Sequence, residues 1–295
     1  MSVTTSTTEN VLLKGREYAH AQSDMLVEKQ ALEHVSRVRT PHLKVMQLLF
    51  STAPALVLGL LALIAWYAST ASGHVNSLFL PVPADVLTSL SDGVRSGMYL
   101  SNTLVTVQES IAGFLLALTV ALPLGYGLVK SRLLSKAVQP YLAAGQAIPA
   151  IVIAPVLVIW LGYGRIPNVL VCMLVVLFPM VMNTVLGLQT IDHQLLDAAR
   201  VEGASGWSLL AHVEFPLALP ALLAAIRTGF TLSITGALVG EFVQGGDQGL
   251  GSLVLIAKNQ LNTPFLFATL VVLAVLAALY YSITWLLVKA AEAVY

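Results

Sequence analysis

The chain has 295 residues, of which 57% are hydrophobic and only 10% are charged, and its mean hydropathy is +0.83. This composition excludes a disordered chain, a collagen-like chain and a nucleic-acid-binding module, so no nucleic-acid partner is expected. It disfavours a soluble enzyme, because so little polar surface does not keep a globule in solution. Fifteen basic residues balance fifteen acidic ones, so net charge points to no partner. The remaining class is a membrane protein with several spanning helices.

Residues 1–45 differ from the rest of the chain and predict a cytoplasmic extension. The first ten residues are rich in Ser and Thr, and we expect them to be disordered. Val27, Ala31, Val35 and Val38 recur near helical spacing, which predicts a short amphipathic helix on the membrane surface or against the body. A solvated tail with chance periodicity is the alternative.

Long uncharged stretches fill the rest of the chain, and a span needs about 20 apolar residues. They predict an all-α transmembrane domain over residues 46–290. The six expected spans lie near residues 46–67, 102–129, 138–162, 166–189, 217–240 and 264–289. Gly and Pro occur in several of these spans, which suits helices that must rearrange.

Basic residues in the loops predict the orientation. With the N-terminus inside, the inner side holds six basic residues of the extension and five others: Lys130, Arg132, Lys136, Arg200 and Lys289. The outer side holds three, namely Arg95, Arg165 and Lys258. This bias predicts that both termini lie in the cytoplasm.

The sequence carries no recognisable catalytic or metal motif. It has no phosphate-binding loop of the form G-x-x-x-x-G-K-[ST] and no H-E-x-x-H, and its six histidines are scattered. The single cysteine, Cys172, excludes an internal disulfide and is interpreted as a small buried side chain. We therefore expect no catalytic residue, metal or cofactor in this chain, and transport against a gradient would draw energy from a partner or an ion gradient.

Three charged residues fall within or at the ends of the spans. Glu109 lies where the second span begins, Arg227 lies within the fifth, and Glu241 ends the fifth. An ionisable group at such depth is a functional hypothesis by default. A solvated position at the outer interface is the alternative for Glu241, and a snorkelling side chain or a structural ion pair is preferred for Arg227. An ion-coupled carrier, the alternative function, usually needs a titratable group near the midplane, and the spans offer almost none.

The loop after the fourth span contains a helix-forming run over residues 195–207. Asp192 can cap the start of this helix, Gly203 can end it in a left-handed conformation, and Pro216 can open the next span. The small residues Ala198 and Ala199 would let another protein approach the backbone. The pattern predicts an interfacial helix that docks a partner, with a mere connecting loop as the alternative.

This segment resembles the cytoplasmic signature of bacterial ABC-importer permeases: EAA, three residues, Gly, nine residues, then I-x-L-P. Asp197, Ala198, Ala199 and Gly203 match it, with Asp in place of Glu. The Ile, Leu and Pro positions are taken by Val213, Phe215 and Pro216. Further similarity to the nitrate/sulfonate/taurine permease group lies at Leu80–Leu87, Phe178-Pro179, Asn183-Thr184, Gly187-Leu188, Gly240-Glu241 and Gly249-Leu250-Gly251.

The resemblance implies a six-helix type I importer permease in the bacterial inner membrane, surrounded by lipid. It implies that a second, identical permease chain pairs with this one, that a periplasmic or lipid-anchored binding protein delivers the solute, and that cytosolic ABC ATPase subunits hydrolyse ATP-Mg. Residues 195–207 would be the coupling helix inserted into the ATPase. Its polar contacts would be Asp197 and Arg200, and its close-approach surface would be Ala198, Ala199, Gly203 and Ala204.

The transported solute is less constrained. Thr235–Val243 resembles the vitamin-precursor branch of the group, and the spans hold no basic cluster beyond Arg227. Both points favour a riboflavin or thiamine-pyrimidine type of solute, and a small anion such as nitrate, a sulfonate or taurine stays open. The candidate polar groups of the pathway are Asn183, Glu241, Gln146 and Ser233.

Overall fold

A computed structural model describes residues 41–292, apart from residues 74 and 247. Side chains are described from residue 57 to residue 289, together with Pro54 and apart from the same two gaps. The amphipathic helix expected over residues 27–38 lies outside the described residues. The chain divides into two units, residues 1–68 and residues 69–295, which are treated separately below.

The described part of the first unit is one helix, α1, which runs over Pro41–Ala71 and so ends just inside the second unit. Its stretch Val57–Ala71 is apolar, and the predicted span 46–67 lies within α1. Pro54 lies inside the helix.

The described part of the second unit is helical and contains no strand. Its helices are α2 Pro83–Arg95, α3 Met98–Lys130, α4 Arg132–Ala147, α5 Ala150–Leu161, α6 Arg165–Gln189, α7 His193–Val201, α8 Gly206–Leu209, α9 Phe215–Gln244, α10 Leu250–Asn259 and α11 Thr263–Glu292. A five-residue π-helical segment, Leu210–Glu214, joins α8 to α9, so one helix runs over Gly206–Gln244. Four helices of the described chain are long and apolar enough to cross a membrane: α3, α6, Gly206–Gln244 and α11.

The predicted span 138–162 is not a straight helix. The structure places α4 and α5 at 99° to each other across a short break. Ile148, at the break, has φ −81° and ψ 119°, because the ring of Pro149 disfavours helical geometry in the residue before it. The proline therefore turns one expected span into a bent pair of helices.

The fifth predicted span, 217–240, begins earlier than expected. Pro216 lies inside the long helix rather than at its start. It has no N–H to donate to the carbonyl of His212 four residues before it, and the wider π-helical turn directly precedes it.

The core of the second unit lies where α3, α6 and α9 pack on one another through small residues. A Cβ on Gly236 of α9 would come 2.6 Å from Cα of Cys172 on α6. The backbones of α6 and α9 therefore approach each other more closely than any residue other than glycine would allow. Cys172 has no exposed surface, and its thiol contacts the Ser110 and Ser233 carbonyl oxygens at 3.5 and 3.2 Å. The interpretation of Cys172 as a buried side chain is confirmed.

Candidate functional site

The bend between α4 and α5 opens a cavity against α6. Its volume is about 580 Å³. Two of the predicted pathway residues, Gln146 on α4 and Asn183 on α6, line this cavity together. The rest of the lining is apolar or small: Gly145, Ile148, Pro149, Ala150, Ile153, Leu174, Val175, Phe178, Pro179 and Met182. The cavity thus combines apolar walls with two carboxamides, and no charged side chain of the described residues lines it.

Two local features of the chain shape this cavity. A Cβ on Gly145 would collide with the ring of Phe178, so glycine lets this ring lie directly against α4. Pro179 cannot donate the helical N–H that the carbonyl of Val175 would normally accept, and both residues line the cavity. The sequence predicted one span over residues 138–162, so the 99° bend was not predicted, although the proline that causes it is visible there.

Glu241 lies elsewhere, near the end of α9 and against the start of α10, where it is 1% exposed. One carboxylate oxygen accepts from the Thr106 hydroxyl at 2.6 Å, and the other accepts from the Gly251 N–H at 2.6 Å. The neighbouring N–H groups are bonded as well: Leu250 N–H donates to Thr106 Oγ1 at 2.9 Å, and Gly249 N–H to Asn102 Oδ1 at 2.7 Å. These side chains cap the N-terminus of α10 by satisfying amides that the helix itself leaves unpaired. We call the described group Asn102, Thr106, Glu241 and Gly249–Gly251 the α10 anchor.

Glu109 and Ser233 are also buried away from the cavity. Both carboxylate oxygens of Glu109 accept from the Asn168 amide, at 3.1 and 3.2 Å. The Ser233 hydroxyl donates to the Phe230 carbonyl of its own helix at 2.7 Å. The structure therefore brings Gln146 and Asn183 together and leaves Glu241 and Ser233 outside the cavity that they line.

The loop after α6 folds into the short helix α7, with the local geometry that the sequence suggested at both ends. The Asp192 carboxylate caps it by accepting from the Gln194 N–H at 2.8 Å. Gly203, with φ +94°, follows its C-terminus. The N–H groups of Gly203 and Ala204 bond back to the carbonyls of Arg200 and Ala199, each at 3.0 Å, which is the Schellman arrangement.

The predicted helix 195–207 is therefore shorter than expected. It ends at Val201, since the left-handed backbone of Gly203 reverses the chain before residue 207. Trp207 belongs to α8 instead.

The surface of this loop is both polar and apolar. Arg200 donates to Asp197 at 2.8 Å, and both side chains are exposed. Ala198 is exposed and Ala199 is half-buried. Val201 and Trp207 are 89% and 78% exposed, which is unusual for such side chains at a polar loop. On the opposite face, the buried Leu196 packs with the cluster Ile191, Ala218 and Leu222 and holds α7 on the bundle.

An ion pair with a buried carboxylate, which was not predicted from the sequence, joins this region to α3. Lys130, the last residue of α3, pairs with Glu214 of the π-helical segment, and Glu214 is 3% exposed. The Lys130 ammonium also lies 5.5 Å from the centroid of the Tyr126 ring. A charged residue in a loop is normally expected to be solvated. Only the position of Glu214 directly before Phe215-Pro216 could have indicated that it is buried against a partner.

Arg227 has no acidic side chain within ion-pair distance among the described residues. Its guanidinium instead lies over the Tyr281 ring of α11, 4.8 Å from the ring centroid. The described residues also contain no group of three metal-ligating side chains.

Comparisons with known proteins identify the family. Residues 111–292 match the family described as "Binding-protein-dependent transport system inner membrane component". The riboflavin transport system permease protein RibX of Chloroflexus aurantiacus is 40% identical over 228 residues, which cover 77% of this chain and 85% of that protein. The formylaminopyrimidine transport permease protein ThiX of Halalkalibacterium halodurans is 29% identical, over 68% of this chain and 79% of that protein.

A solved structure establishes the fold. A chain of the inward-facing MetNI methionine ABC transporter superposes with a TM-score of 0.58 at 20% identity, over 63% of this chain and 93% of that chain. This chain therefore has the all-α type I ABC importer permease fold. The family fits the importer interpretation and not the ion-coupled carrier. The chain belongs to the binding-protein-dependent ABC importer permeases, membrane-embedded transport components that work with a solute-binding protein and an ATPase.

Proposed function

We propose that this chain forms half of a pathway that imports a small aromatic solute of the riboflavin or thiamine-pyrimidine type. The observation that carries this proposal is the uncharged cavity at the α4–α5 bend, with Gln146 and Asn183 in its lining. An aromatic ring system with amide-like edges is complementary to apolar walls and two carboxamides, each of which both donates and accepts. A sulfonate or nitrate would find no cation in that lining. The permeases RibX and ThiX support the same solute class.

The delivery and energy of transport would come from other chains. A periplasmic or lipid-anchored binding protein would release the solute at the outer mouth. Two cytosolic ABC ATPase subunits would hold and hydrolyse ATP-Mg, since the sequence contains no phosphate-binding loop of its own. A second copy of this permease would complete the pathway within the lipid of the bacterial inner membrane, with both termini cytoplasmic.

The contact with the ATPase would be α7 and the turn that follows it. Asp197 and Arg200 offer an exposed charged pair, while Ala198, Ala199, Gly203 and Ala204 leave room for a close approach. The exposed Val201 and Trp207 add apolar area that a docked partner would bury. Glu241 and Ser233 would act on the pathway only through the packing of α9, because their side chains do not line the cavity.

Uptake measurements test the solute. Riboflavin uptake is measured in the native host after deletion of its own copy of the gene, with wild-type chain or with Gln146→Ala or Asn183→Ala. We expect about tenfold slower uptake for each variant, the size of one lost hydrogen bond. Gln139→Ala, an exposed glutamine of the same helix α4, is the matched control and should transport normally. Unchanged riboflavin uptake in both variants, or uptake of taurine in place of riboflavin, would reject the proposed solute class.

Affinity purification tests the ATPase contact. The tagged chain is purified gently from native membranes, and bound proteins are identified by mass spectrometry. Ala198→Arg, which adds bulk on the exposed face of α7 without a backbone change, should abolish recovery of a P-loop ATPase. Gln139→Arg adds the same side chain on α4 and should leave recovery intact. Equal ATPase recovery with Ala198→Arg would place the contact elsewhere.

A further inference from the structure

A groove between α9 and α11 holds the cation Arg227 within the span. The groove has a volume of about 580 Å³, and none of the described residues that line it is acidic. Besides Arg227 and Tyr281, its lining consists of Pro220, Ala224, Thr228, Thr231, Leu232 and Val288. It shares no lining residue with the cavity of Gln146 and Asn183. A guanidinium at this depth is costly unless an anion or water meets its N–H groups.

The described part of the protein supplies aromatic contact but no anion to this guanidinium. The Tyr281 ring covers one face of Arg227 at 4.8 Å, which leaves the N–H groups at its edge without an anionic acceptor. The two threonine hydroxyls of the groove donate within their own helix, Thr228 to the Ala224 carbonyl and Thr231 to the Arg227 carbonyl, each at 3.0 Å. A ligand with several negatively charged oxygens would satisfy this edge, and a phosphate group has that chemistry.

The position of the groove along α9 and α11 indicates which kind of molecule carries that phosphate. Tyr281 lies about 27 Å along α11 from its first residue, Thr263, and the hydrocarbon core is about 30 Å thick. The Arg227 guanidinium lies over this ring, near the C-terminal end of α11. A long basic side chain at this position can extend to the level of the lipid headgroups. Trp285 and Lys289 lie further along α11, with the Lys289 ammonium 4.8 Å from the Trp285 ring centroid. Such aromatic and basic residues mark a membrane interface.

The surface beside the groove is apolar and faces outward. Ile283 and Leu286 of α11 are exposed, and a second cavity of about 300 Å³ next to Tyr281 is lined by Ser282, Trp285 and Leu286 as well. A phosphate that carries acyl chains fits this arrangement, because its chains can lie along the apolar face while its oxygens reach Arg227. A free anion would gain nothing from that face.

We propose that this groove binds the phosphate of one anionic phospholipid, drawn from the leaflet on the side of α7. The assignment of that leaflet as the cytoplasmic one rests on the proposed function and orientation. The lipid would stabilise the contact between α9 and α11, and α9 is continuous with the segment that follows α7. Basic pockets between membrane helices are known to take acidic headgroups.

Native mass spectrometry of the purified full chain tests this proposal. The protein is equilibrated with equal amounts of phosphatidylglycerol and phosphatidylcholine, and the lipid retained per chain is counted. We expect one retained phosphatidylglycerol for the wild type, about tenfold weaker retention for Arg227→Gln, and near-normal retention for Arg227→Lys. Lys289→Gln, which changes an exposed lysine further along α11, should weaken retention two- to threefold and does not disturb the interior.

Lys258→Gln is the matched control, since Lys258 also lies over an aromatic ring, that of Phe242, but outside this groove. It should retain phosphatidylglycerol as the wild type does. Equal retention of both lipids by the wild type, or undiminished phosphatidylglycerol retention in Arg227→Gln and Lys289→Gln, would overturn the proposal. Displacement of the lipid by millimolar inorganic phosphate would assign the groove to a free anion instead. The assay needs no solute and no ATPase, so its failure is separate from a failure of the proposed transport function.

Discussion

The two ends of the helix bundle are built in different ways. At the α10 anchor, side chains from α3 and α9 bond successive backbone amides, and the carboxylate of Glu241 is almost fully buried. At the other end, α7 is held by the apolar contact of Leu196, and its outer face is exposed. A buried network in which every group is hydrogen-bonded fixes one arrangement, whereas a helix held by one apolar face can present its other face to a partner. We therefore call the end with the α10 anchor the rigid end and the end with α7 the presenting end.

The largest effect is expected at the anchor. Glu241→Ala removes the acceptor of the buried Gly251 N–H, whereas the Thr106 hydroxyl can still donate to the Asn102 carbonyl at 3.2 Å. We expect a loss of about 3 kcal/mol in the free energy of unfolding, from the orphaned amide at about 1–3 kcal/mol and from the cavity that the removed side chain leaves. Unfolding of the purified chain in mixed detergent–lipid micelles measures this loss, and the exposed Glu202→Ala is the control. A variant as stable as the wild type that has lost solute uptake would move Glu241 from the anchor to the pathway.

The next effect is expected at the buried ion pair of the presenting end. Lys130→Met leaves the Glu214 carboxylate unpaired, and we expect a loss of about 2 kcal/mol in the free energy of unfolding. This loss is smaller than the usual cost of breaking a fully buried pair, because Lys130 is partly exposed. Glu214→Gln in the same chain should restore at least half of that loss. Lys136→Met, an exposed lysine of α4, should change little. Unfolding in the same micelles checks all three, and a double variant as unstable as Lys130→Met would show that the pair does not act as a unit.

A smaller and more local effect is expected where α7 ends. Gly203 has φ +94° with open space around its Cα, so Gly203→Ala strains the backbone without a steric clash. We expect the free energy of unfolding to fall by about 1 kcal/mol, which is the cost of a left-handed conformation for alanine. Hydrogen exchange should accelerate at the Gly203 and Ala204 amides and stay unchanged at Gly251. Gly59→Ala, at a glycine with open space and no positive φ, is the control. Faster exchange at both ends of the bundle would contradict the independence of the two ends.

Much of the fold could be predicted from the sequence because lipid imposes simple rules. Long apolar runs require helices, and the Asp192 cap and the Gly203 reversal follow from local backbone chemistry. The bend at Pro149 was missed because an apolar run gives no sign of a change in direction, although the proline restricts the residue before it. The start of the fifth span was misplaced because the π-helical turn before Pro216 lets the helix continue through this proline.

The candidate site was only half predictable, for a related reason. Gln146 and Asn183 lie 37 positions apart in the sequence, and the bend brings them to one cavity. Glu241 was recognised as a charge at the end of a span, but its partner Thr106 and the second cap residue Asn102 lie on another helix. The sequence therefore could not separate a pathway group from a helix cap. Similarly, nothing in the sequence pairs Lys130 with Glu214, because their contact depends on where α3 ends against the π-helical segment.

The smallest effect on stability is expected on the exposed face of α7, and it separates stability from partner binding most clearly. Arg200→Ala removes an ion pair to Asp197 in which both side chains are exposed, so the free energy of unfolding should change by less than about 0.5 kcal/mol. If this face presents the ATPase contact, the same variant should lower recovery of the ATPase from native membranes severalfold. Arg132→Ala, an exposed arginine at the start of α4, is the control. A large loss of stability in Arg200→Ala would mean that this face supports the fold, and the contrast between a rigid and a presenting end would then fail.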